Sequence, residues 1–369
     1  MANIEQQIAE VEKEISETEY NKATQQHIGR LKAKVARLKA EAEKRAAARS
    51  GAGGRSFAVK KSGHASAALI GFPSVGKSTL LNSITDARSD VAAYEFTTVD
   101  VIPGILYHRK AEIQVLDLPG IIRGAAAGRG RGREVIAVAR ASDLVIFVAD
   151  VYTPDVSVLA GELRTAGIRL NERRADIRVT KAIRGGIQVH FTSPQKQLTA
   201  DFAAALVAEY GLLNADVVVR ENVTDEQLID TLAGNRVYLP GIVALNKIDA
   251  ADSTMLERSR RALKGWKVVE ISAEKGEGLE DLKDMVYDQM KFIRIYLRPQ
   301  GGEADLKEPL IMKSGTKVEN VCDHIHRDMK RRFRYANVWG KSARFPGQTV
   351  GLDHVMADED VLTVVARKG

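Results

Sequence analysis

Two hydrophobic rhythms divide the chain. In residues 1–50 the apolar positions follow a helical period: Ile4, Ile8, Val11 and Ile15, then Ile28, Leu31, Val35, Leu38 and Ala42. Steps of three and four residues put each set on one helix face. The 18–24 region between them reads as a turn, which predicts an antiparallel helical hairpin. Its seams are thin, so the two helices are expected to cover each other and little else. From residue 66 the rhythm changes. Short, nearly continuous apolar runs at 67–70, 113–118, 144–149, 242–245 and 268–271 alternate with helical patterns. Strands apolar on both faces predict a parallel sheet in an α/β fold.

An insertion of residues 166–237 interrupts that alternation. Residues 177–183 and 187–191 flank Gly185-Gly186 and read as a hairpin. A helix over 199–209, a strand over 216–220 and a capping box from Thr224 to Gln227 complete a ββαβα unit. Residues 291–369 read as a small α+β domain, with strands at 309–312, 336–339 and 361–365 and a helix over 318–330. Residues 51–65 contain Gly and Ser and form a basic linker, since no acidic residue occurs between Glu43 and Asp86. The nucleotide-binding part is then 66–165 with 238–290.

Composition adds bounds. The 369 residues allow several domains, and 44% hydrophobic with 28% charged residues is a globular balance. No apolar run reaches membrane-spanning length, and the charged N-terminus shows no secretory pattern. Cys322 is the sole cysteine, which excludes an internal disulfide and agrees with a cytoplasmic location. Lys and Arg exceed Asp and Glu by 55 to 48, a net charge of +7. Placement of the charge therefore matters more than its sum.

The chemistry centres on Gly71-Phe72-Pro73-Ser74-Val75-Gly76-Lys77-Ser78, followed by Thr79. It fits the phosphate-loop pattern, between a strand and a helix. The glycines let successive N–H groups face one anion, and the helix adds its positive end. Lys77 would reach the β- and γ-phosphates, and Ser78 would ligate Mg²⁺. Asp117-Leu118-Pro119-Gly120 ends a later strand, where Asp117 can hold Mg²⁺ and the Gly120 N–H can approach the γ-phosphate. Asn246-Lys247-Ile248-Asp249 ends another. The Asp249 carboxylate only accepts, so it can take the ring N–H and the exocyclic amine of guanine. Adenine offers no such pair, which favours GTP over ATP. Ser272-Ala273 can supply an N–H to the guanine oxygen. Phe96-Thr97-Thr98 supplies a switch threonine for Mg²⁺, either Thr97 or Thr98, with Thr98 favoured. The catalytic set is then Lys77, Thr98 and Gly120. Glycines at 124, 128, 130 and 132, interleaved with arginines, read as a second switch loop.

These motifs resemble the developmentally regulated GTP-binding protein (DRG) family, within the Obg-like GTPases. The carrying residues are GFPSVGKS at 71–78, FTT at 96–98, DLPGII at 117–122, GRGREVIAVAR at 130–140, GNRVY at 234–238 and NKID at 246–249. The resemblance implies a GTPase domain interrupted by a unit like the second domain of ribosomal protein S five. It also implies a C-terminal TGS domain of β-grasp form, and association with ribosomes or RNA. Ile121 stands where Ras-like enzymes carry the glutamine that orients water. Slow basal hydrolysis is therefore expected, accelerated by a partner or by a monovalent cation such as K⁺. Arg123 departs from the acidic residue expected in relatives.

Two basic clusters suit an RNA partner: 164–184, with seven Lys or Arg, and 327–334, where Phe333 and Tyr335 interleave with the charges. His324 and His326 read as surface or packing residues and not a metal site. The leading expectation is a GTPase switch that associates with the ribosome or structured RNA in translation. The alternative is a scaffold for a regulatory protein partner, with incidental hydrolysis.

Overall fold

The structure, a computed structural model, describes residues 4–19, 21, 24–49, 63–85, 102–118 and 132–367. In chain order these form α1 (Ile4–Glu17), α2 (Gln25–Arg49), β1 (Ala65–Ile70), α3 (Lys77–Ile84), β2 (Ile102–His108), β3 (Ala111–Asp117), α4 (Gly132–Ala141), β4 (Leu144–Asp150) and α5 (Ser157–Thr165). Then come β5 (Ile168–Leu170), β6 (Ile177–Lys181), β7 (Ile187–Phe191), α6 (Ala200–Glu209), β8 (Ala215–Val219), α7 (Asp225–Ala233), β9 (Val237–Leu239) and β10 (Gly241–Asn246). The remainder is α8 (Ser253–Ala262), β11 (Val268–Glu270), α9 (Leu279–Met290), β12 (Phe292–Leu297), β13 (Leu310–Lys313), α10 (Val318–Ile325), α11 (Met329–Arg332), β14 (Phe333–Trp339), β15 (Gln348–Val350) and β16 (Asp360–Ala366). The chain divides into two compact units, Met1–Ser56 with Gly167–Tyr238, and Phe57–Ala166 with Leu239–Gly369.

The larger unit is built on a six-stranded sheet of order β11-β10-β4-β1-β3-β2. Five strands run parallel, and β2 pairs antiparallel with β3. Every residue of β1, β4 and β10 is buried, as a strand covered on both faces requires. The parallel arrangement brings the carboxyl ends of β1, β3, β4 and β10 to one edge, where such sheets bind ligands. Residue 291 alone separates α9 from β12, and Phe292 and Ile311 join the core that contains the sheet. The C-terminal sheet has the order β13-β12-β16-β14-β15 and packs α10 through Val318, Val321 and Cys322. The expected 318–330 helix is interrupted. His326 is extended (φ −162°, ψ 140°), and its Nδ1 accepts the Asp328 N–H at 3.1 Å. A side chain that bonds the local backbone in this way competes with helix continuation.

In the smaller unit two expectations are corrected. β6 and β7 do not pair as a hairpin, because β8 lies between them, antiparallel to β6 and parallel to β7. Residues 182–186 cross the end of β8, a step of about 10 Å for two strand spacings. Asn214 secures the crossing: its carbonyl accepts from the Ala182 N–H and its Oδ1 from the Gly186 N–H at 2.8 Å. Nor does the hairpin cover only itself. Ala33 and Ala36 of α2 lie in one core with Phe202 and Leu206 of α6 and Leu228 of α7. A Cβ on Gly29 would run into the Phe202 ring. The Gly29, Ala33, Ala36 stripe is a docking face of small residues, which a search for large apolar side chains passes over.

Candidate nucleotide-binding site

The phosphate loop leaves β1 and enters α3 through two left-handed backbones, Ser74 (φ +65°) and Gly76 (φ +94°). Gly76 caps α3. A side chain at Gly71 would strike the Val148 carbonyl, and one at Gly76 the Asn246 amide. Val75, Leu80, Leu81 and Ile84 anchor the turn and helix in the core. The Lys77 ammonium folds over the loop and donates to the carbonyls of Gly71 (3.0 Å) and Phe72 (3.1 Å). Burial depresses its pKa, against the raising pull of the Asp117 carboxylate. The Ser78 hydroxyl donates to Asp117 Oδ2 at 2.7 Å, so the two oxygens meet at the start of α3.

The Asn246–Asp249 and Ser272-Ala273 segments are tied to this loop by side chains from the ends of other strands. Asn246 Nδ2 donates to the Val75 carbonyl, and its Oδ1 accepts from the Ala273 N–H, both at 2.9 Å. One buried amide thereby joins three motifs. Lys247 has a left-handed backbone (φ +65°). Its ammonium donates to the Ser74 carbonyl at 2.8 Å and to Asp150 Oδ2 at 2.7 Å. Asp249 is the middle residue of the short turn Ile248–Ala250 beyond β10 and faces Lys275 at 3.7 Å. The Ser272 hydroxyl, more than Lys275, holds its carboxyl below the ordinary aspartate pKa, so it is an acceptor at neutral pH. A cleft of about 150 Å³ opens among Gly76, Thr79, Asn246, Asp249, Ser272 and Ala273.

Residues 71–79, Asp117, Asn246, Lys247, Asp249, Ser272 and Ala273 therefore sit along one sheet edge. Leu118 follows Asp117, but its side chain is buried and its N–H donates to the Leu69 carbonyl at 3.2 Å. Phe96, Thr97, Thr98, Pro119 and Gly120 lie outside the described residues, as do the linker positions 51–62 and Ile121 and Arg123. Asp150 was missed in the sequence. Its signal is the one that marks Asp117 and Asn246, a polar residue closing an apolar strand.

The basic clusters are partly consumed internally. Arg169 is buried and bonds both Asp230 oxygens, at 2.6 and 2.7 Å. Arg173 pairs with Glu221. Lys330 pairs with Glu319 at 2.8 Å, and Arg332 donates to the Arg367 carbonyl. Phe333 packs into the C-terminal core, so it is not a free stacking platform. Among the described residues no three or more His, Cys, Asp or Glu side chains gather in one place. No described helix is long and apolar enough to cross a membrane.

Fold and site together define a P-loop GTPase with a C-terminal TGS domain. Residues 66–181 match the model of the "50S ribosome-binding GTPase" family, 184–292 that of the "C-terminal region of MMR_HSR1 domain", and 293–366 the TGS domain. An uncharacterized GTP-binding protein of Methanocaldococcus jannaschii is 50% identical over 85% of this chain and 81% of its own. Developmentally-regulated GTP-binding protein 1 homolog of Dictyostelium discoideum is 44% identical over 88% of each chain. Developmentally-regulated GTP-binding protein 2 of Mus musculus is 43% identical over 85% of this chain and 86% of its own. The chain belongs to the developmentally-regulated GTP-binding protein family.

Proposed function

We propose that the protein hydrolyses GTP to GDP and phosphate, within the Obg-like group, and that its GTP form associates with the ribosome or structured RNA in translation in the cytoplasm. The observation that carries the nucleotide reading is the Asn246 amide, which joins the phosphate loop to the Asp249 and Ala273 base end. Ser78 Oγ and the Asp117 carboxylate are oxygen donors suited to Mg²⁺. When bound, the ion would neutralise phosphate charge. The switch threonine, Thr98 before Thr97, would complete that set. Lys77 would bind the phosphates, and the Gly120 N–H would approach the γ-phosphate.

Ile121 has no polar group, so turnover without a partner is slow, and a partner or K⁺ supplies the missing water positioning. The ribosome reading is supported by the name of the family model that matches 66–181 and by exposed Arg178, Lys181 and Arg184. Residues 166–237 then correspond to a unit like the second domain of ribosomal protein S five. Co-sedimentation with ribosomes at two salt concentrations tests the proposal, using protein with GDP, with a non-hydrolysable GTP analogue, or without nucleotide. Binding only with the analogue, weakened by salt, is expected. No binding in any state would overturn the ribosome reading and favour the protein-partner scaffold.

A further inference from the structure

Asp150 ends β4 directly opposite Asn246 in the parallel register with β10. Its side chain is 7% exposed, yet both oxygens are used. Oδ1 accepts from the N–H groups of Tyr152 (3.2 Å) and Thr153 (2.9 Å) and from the Thr153 hydroxyl (2.9 Å). Oδ2 accepts from the Lys247 ammonium at 2.7 Å. The same ammonium donates to the Ser74 carbonyl. Neighbouring carbonyls of the phosphate loop, Ser74 and Val75, are therefore held by neighbouring residues of β10's end, Lys247 and Asn246.

Both Ser74 and Lys247 carry left-handed backbones, which persist in non-glycine residues only when the surroundings over-determine them. Lys247 is 36% exposed, so water competes for its ammonium. A buried carboxylate at 2.7 Å is what keeps that ammonium over the loop. We propose that Asp150 is a positioning residue for guanine-nucleotide binding. Through Lys247 it fixes the Ser74 carbonyl, and with it the phosphate loop, relative to the base end of the cleft. The inference rests on the guanine-nucleotide reading above.

The two carboxylate oxygens have separate duties, so the pair can be tested without destroying the turn. In Asp150→Asn the amide oxygen can still accept from Tyr152 and Thr153, while an NH₂ faces the Lys247 ammonium, donor against donor. Equilibrium and stopped-flow binding of fluorescent GDP and GTP would compare wild type, D150N, K247M and D150N/K247M, with thermal melting alongside. D150N is expected to weaken both nucleotides about 10- to 100-fold through faster dissociation. The double variant should match K247M, since Asp150 acts through that lysine. A D150N affinity within about twofold of wild type, or a double variant weaker than K247M by the D150N factor, would overturn the inference. If D150N does not fold, the double variant has lost both charges and is compared with K247M by the same criterion. Failure of the wild type to bind guanine nucleotide would instead overturn the functional reading beneath it.

Discussion

The nucleotide cleft and the 327–334 basic cluster are both dense in polar side chains, but they are built in opposite ways. In the cleft, residues far apart in sequence converge because parallel strands end at one edge. Asn246 reaches Val75 across 171 positions, and Ser78 reaches Asp117 across 39. In the C-terminal cluster the charges are neighbours in sequence, and some of them are paired with local groups at the surface. Lys330 is drawn to Glu319 and Asp323, Arg332 to a backbone carbonyl, and Phe333 to the core. Convergence from distant elements is better evidence of a site than a local run of charge, because a run is readily satisfied by its own surroundings.

That contrast is breakable at its strongest point. Asn246→Ala would leave the Val75 carbonyl and the Ala273 N–H without their partner in the cleft, at about 1–3 kcal/mol each. A stability loss of about 2–6 kcal/mol and a nucleotide affinity at least about 100-fold weaker are expected, read by denaturant melts and fluorescent-nucleotide titration. Unchanged affinity would show that the amide link is dispensable. A smaller effect should come from Gly29→Val, which forces a branched side chain against Phe202. Overpacking of this kind costs about 1–3 kcal/mol. The thermal midpoint should fall while GDP affinity holds, and a neutral result would mean that α2 does not dock closely.

At the C-terminal end, Arg332→Ala should lower ribosome co-sedimentation less than Arg184→Ala, because Arg332 already donates to Arg367. A larger loss for Arg332 would reverse the reading of that cluster. The smallest change is expected at the residue after the DxxG glycine. Ile121→Ala should alter basal turnover by less than about threefold, a barrier change under about 1 kcal/mol. Loss of turnover with affinity intact would give that side chain a role in the chemistry. In a phosphate-release assay of basal turnover, the rate in KCl should exceed the rate in NaCl.

How far the sequence reaches follows from the same physics. The continuous apolar runs identified β1, β4 and β10 because burial on both faces leaves no alternation to misread. The Thr224–Gln227 capping box was legible because its two bonds are local. The pairing of β8 between β6 and β7 was not. Gly185-Gly186 looks like a tight hairpin turn, and only the long-range Asn214 contacts show that the segment crosses a strand end. The α2 docking face was hidden because glycine and alanine carry little hydrophobic signal. At the cleft, motif spacing singled out residues 71–79, Asp117, Asn246, Asp249 and Ser272-Ala273, which the fold brings to one sheet edge. Asp150 was passed over because no motif contains it, and its bonds to Lys247 and Thr153 appear only in the folded chain.

The most direct measurement is a nucleotide panel on wild type and Asp249→Asn, titrating GDP, GTP, ATP and the xanthine nucleotide by competition. Wild type should prefer guanine nucleotides over ATP by about 10³-fold or more, as a site that pairs a specific donor set rejects a ligand lacking it. D249N should lose much of its GTP affinity and gain for xanthine, whose carbonyl can accept from the new amide. ATP competing on equal terms with GTP in wild type, or D249N keeping the wild-type GTP preference, would contradict the assignment of this cleft to guanine.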